Sequence, residues 1–400
     1  MTERQIAPAL DSIQEEAAFT VLDEVVRLRS EGHDVISLGI GQPDFDPPQH
    51  VVEAARRALA DGPHGYTPAL GLPALRDGVA AHILRRYDVE VSPATVAIVP
   101  AGKLTMTFAV QMFARPGAEV LVPDPGFPPY RSAIGFSGAT AVGYPLPEAT
   151  AFGLDAERVL ERITPATTLL ILNNPSNPTG GAASREQLDH LVVGLAAHPD
   201  VMVLSDEIYS GLSFDGPHRT LLGYPQLADR LIVLDGWSKS YAMTGWRLGW
   251  GVWPEWLIDP LRKLILISHS CVNVAAQYGG LAALEGPQDF VDEMRSTFDG
   301  RRRFVVEAAN DLPGFTCATP DGAFYAFPNI EATGRSDDTL ARRLLDVARV
   351  AVIPGNDFGV NGVGHLRFSY ASSMERLEEA FERIGHLLSA EPQESRRRTR

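Results

Sequence analysis

Asp235-Gly236-Trp237-Ser238-Lys239-Ser240-Tyr241-Ala242-Met243-Thr244-Gly245-Trp246-Arg247-Leu248-Gly249 links two short apolar runs, Leu231–Leu234 and Leu248–Val252. Runs of that length, bounded by small and polar residues, carry the pattern of strands buried on both faces. A lysine that follows a strand is usually a solvated surface residue. Here an arginine comes eight residues later, and most of the residues around the pair are small or aromatic, which leaves little room for water. An amine meant to attack an aldehyde must be partly deprotonated, and burial beside other cations promotes this. Lys239 is therefore the first candidate for chemistry.

Further apolar runs precede this segment: Val96–Val99, Glu119–Val122, Thr140–Tyr144, Leu169–Leu172 and Val201–Ser205. Between most of them lies enough chain for a helix, so the α/β pattern predicts a mostly parallel seven-stranded sheet covered by helices on both faces. Ligands in such sheets bind at the carboxyl ends of the strands. The polar residues that follow the runs directly are Asn173 and Asn177, Asp206 and Tyr209, and Ser238 and Lys239.

On the amino-terminal side, Val21, Leu22, Val25, Val26 and Leu28 form the stripe of an amphipathic helix. An extended stretch over Val35–Ile40 and the segment Gly41-Gln42-Pro43-Asp44-Phe45-Asp46-Pro47-Pro48 come next. Helices are expected over 49–60 and 71–86. Beyond Leu257 a long helical region runs to about Asn310, with a break at Gly286-Pro287. The remainder reads as a strand over Gly322–Phe327, a helix over Thr339–Val347, strands over Val350–Ile353 and His365–Phe368, and a helix over Ser373–Leu388. The expected division is an arm with part of a small domain at 1–48, a large domain at 49–285, a smaller α+β domain at 286–390, and a disordered tail at 391–400, EPQESRRRTR.

A chain of 400 residues, 45% of them hydrophobic, is long enough for such a pair of domains. Its 35 basic and 50 acidic residues give a formal charge of −15, which disfavours nucleic acid and anionic membrane as partners. No run approaches the ~18 apolar residues of a membrane span. The opening MTERQIAPALDSIQEE has no apolar core of a secretory signal. Cys271 and Cys317 match neither a disulfide framework nor a zinc spacing, so no metal site and a reducing cytoplasm are expected.

GQPDFDPP, GYTPALGLPALR, NNPSNPTGG, SDEIY, SKSYAMTGWRLG, GAFYAFPNI and HLRFSYA occur in that order. With these motifs the chain, from about Ile13 to Leu388, resembles the class I and II aminotransferases, fold type I of the pyridoxal-phosphate enzymes. The likeness is greatest to the bacterial aspartate aminotransferase subgroup. No G-x-x-x-x-G-K-[ST] supports a phosphate-binding ATPase instead.

The resemblance implies pyridoxal 5'-phosphate as cofactor, joined to Lys239, with the same amine then moving the substrate's α-proton. It implies Asp206 at the pyridine nitrogen, and Tyr209 and Asn177 at the phenolic oxygen. The phosphate is expected on the backbone of Gly102 and Lys103 and on Arg247, with Ser238 as a further hydroxyl and Phe127 stacked on the ring. Tyr66 matches a tyrosine that reaches the neighbouring active site in a homodimer. Arg367 and Asn177 match the groups that hold the substrate α-carboxylate, and Gly41 matches a glycine that leaves room for the substrate. The implied reaction moves an amino group between an L-amino acid, aspartate or a broad range, and a 2-oxo acid. Fold type I also hosts lyases, eliminations, carbon–carbon bond-forming enzymes and non-catalytic regulators.

Two departures bear on specificity. Glu16-Ala17-Ala18-Phe19-Thr20 stands where relatives place hydroxyls for a distal carboxylate, and Thr20 is the donor left there. Pro100-Ala101-Gly102 lacks the threonine and further glycine that relatives place before the phosphate-binding amides. Phe19, Ile40 and Phe127 suit an apolar substrate, and His269, Ser270, Cys271 and Asn273 are further candidates for the pocket wall.

Overall fold

The computed structural model describes residues 6–390. Seven strands form the central sheet, in the order Val96–Val99, Gly249–Val252, Leu231–Gly236, Met202–Asp206, Thr167–Asn173, Glu119–Asp124 and Thr140–Pro145. All neighbours are parallel except at Gly249–Val252, which runs antiparallel to both of its partners. Side chains alternate across the sheet with the strand's period of two. Ala97, Val99, Val120, Val122, Leu169 and Ile171 belong to one core, with Met106, Phe108 and Ile134. Val96, Ile98, Leu121, Leu170 and Leu172 belong to the other, with Val79, Trp237 and Leu248.

A separate core joins Phe298, Phe315, Phe324, Phe368, Phe381 and Ile384. It is held between the long helix Asp289–Asp311, the helix Met374–Ala390 and a three-stranded sheet. The amino-terminal segment adds to this region: Ile36–Ser37 pairs in parallel with Val350–Ala351.

Several elements differ from the sequence reading. The strand expected over Val350–Ile353 is divided, because Ile353–Pro354 turns away from Ile36–Ser37 to pair with Leu366–Ser369. Of Gly322–Phe327, Tyr325–Ala326 alone joins a strand ladder. The amides of Gly322 and Ala323 are instead bonded to the carbonyls of Gly180 and Leu212. The helix expected over Thr339–Val347 is Asp337–Arg343, capped by Ser336 and followed by a wider turn, Leu344–Ala348. The long helical region breaks a second time after Ile258–Ser268, where Ser270 is left-handed (φ 61°) and Asn273 caps Val274–Glu285. The tail at 391–400 lies outside the described residues.

In register, Asn173 lies beside Asp206 at the carboxyl ends of adjacent parallel strands. The next strand ends at Gly236 and leads directly into the short helix Trp237–Ser240 that bears Lys239.

Candidate active site

A cavity of about 460 Å³ opens over these strand ends. Lys239 projects into it, and its Nζ donates to the carbonyl of Gly41 at 2.5 Å. Loss of hydration, aided by the cations Arg367, Arg247 and Lys103, pulls the Lys239 ammonium down to about 7, against a smaller opposing pull from Asp206. The rings of Tyr209 and Phe324 lie 5.8 and 5.7 Å from the nitrogen.

Asp206 is buried at the floor of the cavity. The hydroxyl of Tyr130 donates to one carboxylate oxygen at 2.6 Å, and the Ile208 amide donates to the other at 3.2 Å. Burial nevertheless raises this carboxyl to about 6, with both hydrogen bonds pulling the other way. Among the described residues no cation pairs with this carboxyl directly, and Lys239 acts on it weakly from farther off.

Arg367 is buried on the strand Leu366–Ser369. It donates to Asn177 Oδ1 at 2.9 Å and to the Gly39 carbonyl at 2.5 Å, while its Nε has no hydrogen-bond partner among the described residues. Its guanidinium carbon lies 4.6 Å from the centre of the Tyr325 ring. The Tyr325 hydroxyl shares a 2.8 Å hydrogen bond with that of Tyr209. It also lies 2.1 Å from where a Cβ on Gly41 would stand, so only glycine fits there without displacing Tyr325.

At the opposite end, Gly102 begins the helix Gly102–Phe113, whose first amides are free of intrahelical partners. A Cβ on Gly249 would come within 2.2 Å of the Gly102 nitrogen, so this helix start lies directly against the antiparallel strand. Ser238 is buried nearby, and Arg247 is at the exposed rim, donating to the Thr244 carbonyl at 2.7 Å. Phe127 completes this side, edge-on to Tyr130 with ring centres 5.5 Å apart.

Thus Gly41, Gly102, Lys103, Phe127, Asn177, Asp206, Tyr209, Ser238, Lys239, Arg247 and Arg367 line one cavity. Tyr66 does not; it is 92% exposed on the surface of its own chain. Thr20 is also outside the lining, because the turn of its helix directs Ala18, Phe19 and Leu22 inward. His269, Ser270, Cys271 and Asn273 form the inter-helix turn and do not line the cavity. Sequence reasoning missed Glu16, Tyr130 and Tyr325. Tyr325 lies inside GAFYAFPNI and Tyr130 three residues beyond Phe127, but nothing local distinguishes them from packed aromatics.

A lysine, Lys239, and a buried arginine, Arg367, therefore share one cavity over the strand ends of the mostly parallel sheet. The chain belongs to the class I and II aminotransferases: the family model described as Aminotransferase class I and II matches residues 33–384. It is 35% identical to the aspartate aminotransferase of Geobacillus stearothermophilus, over 96% of this chain and 99% of that one. It is also 35% identical to aromatic-amino-acid aminotransferase 2 of Thermococcus litoralis, over 88% and 92%. The solved structure of Thermus thermophilus aspartate aminotransferase with maleate superposes with a TM-score of 0.91 at 34% identity, covering 96% and 100% of the chains. The fold is that of the fold type I pyridoxal-phosphate transferases, and the activity is pyridoxal-phosphate-dependent amino-group transfer. These relatives do not favour the elimination, carbon–carbon bond-forming or regulatory alternatives.

Proposed function

We propose that the chain holds pyridoxal 5'-phosphate through Lys239 and transfers the amino group of an L-amino acid, aspartate or a broader range, to a 2-oxo acid. The observation that carries this reading is the Lys239 amine, brought to about 7 within one cavity that also contains Asp206 and Arg367.

The donor set fits the cofactor. Gly102 and Lys103 offer helix-start amides and Arg247 a guanidinium to a phosphate; Ser238 can add a hydroxyl. Asp206 would receive a protonated ring nitrogen, the cation its buried carboxyl lacks, and Phe127 would cover the ring. Tyr209 and Asn177 would hold the phenolic oxygen. When bound, pyridoxal phosphate supplies an aldehyde and an electron-withdrawing ring.

The chain's own residues do the rest. Lys239 Nζ, about half of it neutral near pH 7, accepts the substrate's α-proton and gives it up again. Arg367 binds the α-carboxylate with Asn177, exchanging its present internal acceptors for a bidentate anion. Fixing that carboxylate orients the α-hydrogen toward Lys239. Gly41 leaves space beside Tyr325 for the substrate.

The same reading includes a homodimer in which Tyr66 serves the neighbouring site, supported by its 92% exposure. It includes a cytoplasmic setting, supported by the unpaired Cys271 and Cys317. It also includes the division at residues 48 and 285, supported by a second core that draws mostly on Ile36, Leu38 and residues from Met294 to Leu387, although Tyr209 and Leu212 join it and Val291, Phe327, Ile353 and Phe358 pack into the core of the large sheet.

A half-reaction tests the proposal. The cofactor-loaded protein, mixed with single L-amino acids in the absence of oxo acid, should release one equivalent of 2-oxo acid and retain the amino group on the cofactor. Release of ammonia or of a β-substituted product in its place would refute it.

A further inference from the structure

We propose that Glu16 sets substrate choice by occupying Lys103, so that the far end of the cavity prefers an uncharged apolar or aromatic side chain over a second carboxylate. The inference deepens the aminotransferase reading and rests on it.

Four cationic side chains line the cavity: Lys103, Lys239, Arg247 and Arg367. Lys239 supplies the amine, Arg367 faces the α-carboxylate, and Arg247 is assigned to the phosphate. Lys103 remains for a distal acid, since it is its backbone amide that serves the phosphate. Its ammonium, however, already donates to Glu16 Oε1. The ammonium also lies 5.4 Å from the centre of the Phe127 ring, so it is held on two sides.

The paired charges sum to zero at the point where a dicarboxylate needs a net positive one. A second carboxylate would have to displace Glu16 or sit within a few ångströms of its charge, and both oppose binding. The side chains are 42% and 23% exposed, so water weakens the effect and a graded preference is expected.

Shape and polarity agree with this. Glu16 directly precedes the helix Ala17–Ser30, whose Ala18, Phe19 and Leu22 line the cavity together with Ile40. Phe19 is 55% exposed, so an apolar substrate side chain laid against it removes hydrocarbon surface from water. A dicarboxylate gains nothing comparable from that surface.

The test uses the cofactor-loaded protein, with binding of succinate and of 3-phenylpropionate measured by calorimetry beside turnover of aspartate and phenylalanine. The wild-type protein should prefer 3-phenylpropionate and phenylalanine. Glu16→Gln should shift the succinate to 3-phenylpropionate affinity ratio about tenfold toward succinate, about 1.4 kcal/mol. The turnover ratio should move the same way, mainly through KM. Adding Lys103→Met to Glu16→Gln should abolish the gain, which shows that it acts through the ammonium. A wild-type preference for the dicarboxylates overturns the inference, as does a ratio unmoved by Glu16→Gln or a gain that survives Lys103→Met. Failure to transaminate any L-amino acid would instead strike the reading beneath it, and the binding ratio would still decide the role of Glu16.

Discussion

The floor of the cavity and its amino-terminal wall are built on different terms. The floor, from Asn173 through Asp206 to Lys239, is set at the ends of buried strands, and its charges are perturbed because water is excluded. The wall, from Glu16 to Leu22, is borne on the start of one partly exposed helix, and its one charge, on Glu16, is neutralised by pairing with Lys103. The floor is suited to chemistry, where a shifted proton affinity matters. The wall is suited to selection, where modest differences between side chains suffice.

The strongest challenge to that contrast is Lys239→Ala. Loss of the proton-transferring amine should reduce kcat at least about 10⁴-fold, and the protein should lose its borohydride-reducible link to the cofactor. A retained link would assign the amine elsewhere. Next in size, Asp206→Asn keeps the shape of the floor but removes its charge, and kcat should fall about 10³-fold with a much smaller change in KM for the amino acid. Equal effects on both would make Asp206 a packing residue.

The pH dependence of cofactor capture is a milder test. The free amine is the reactive form, and a folded-state value of about 7 means that it accumulates as pH rises through 7. Stopped-flow measurement of capture by the cofactor-free protein should therefore show a rate that climbs between about pH 6 and 8 and then levels. A climb delayed until near pH 10 would mean an unperturbed lysine. Smallest of all, Thr20→Ala should leave activity and stability within about 0.5 kcal/mol, measured by kcat/KM and thermal unfolding, because Thr20 faces away from the cavity.

The sequence disclosed these two regions unequally. Strand-end positions follow from apolar runs and the rule that ligands sit beyond carboxyl ends, so Asn177, Asp206, Tyr209 and Lys239 could be named before any coordinates. Arg367 is remote from them in sequence, and its place rested on the HLRFSYA motif. In the wall, Phe19 and Ile40 were named and line the cavity but Thr20 does not, because a helix's phase decides which of Glu16 to Thr20 face inward, and an error of one residue turns a side chain by about 100°. Glu16 was invisible for a further reason: its partner is 87 residues away. The divided strand at Val350–Ile353 was likewise concealed, since an apolar run carries no sign of a change of partner at Val352.

The approach of Gly249 to the Gly102 amide has a consequence for how such a chain can diversify. A methyl group at 249 would enter the space of Ala101 and Gly102 at the helix start, so that position is closed to variation. Residues 16–22 carry no such restriction from the floor. Mutational freedom is therefore distributed by place: a lineage, or a library, can explore new substrates along one helix while the catalytic apparatus is inherited intact.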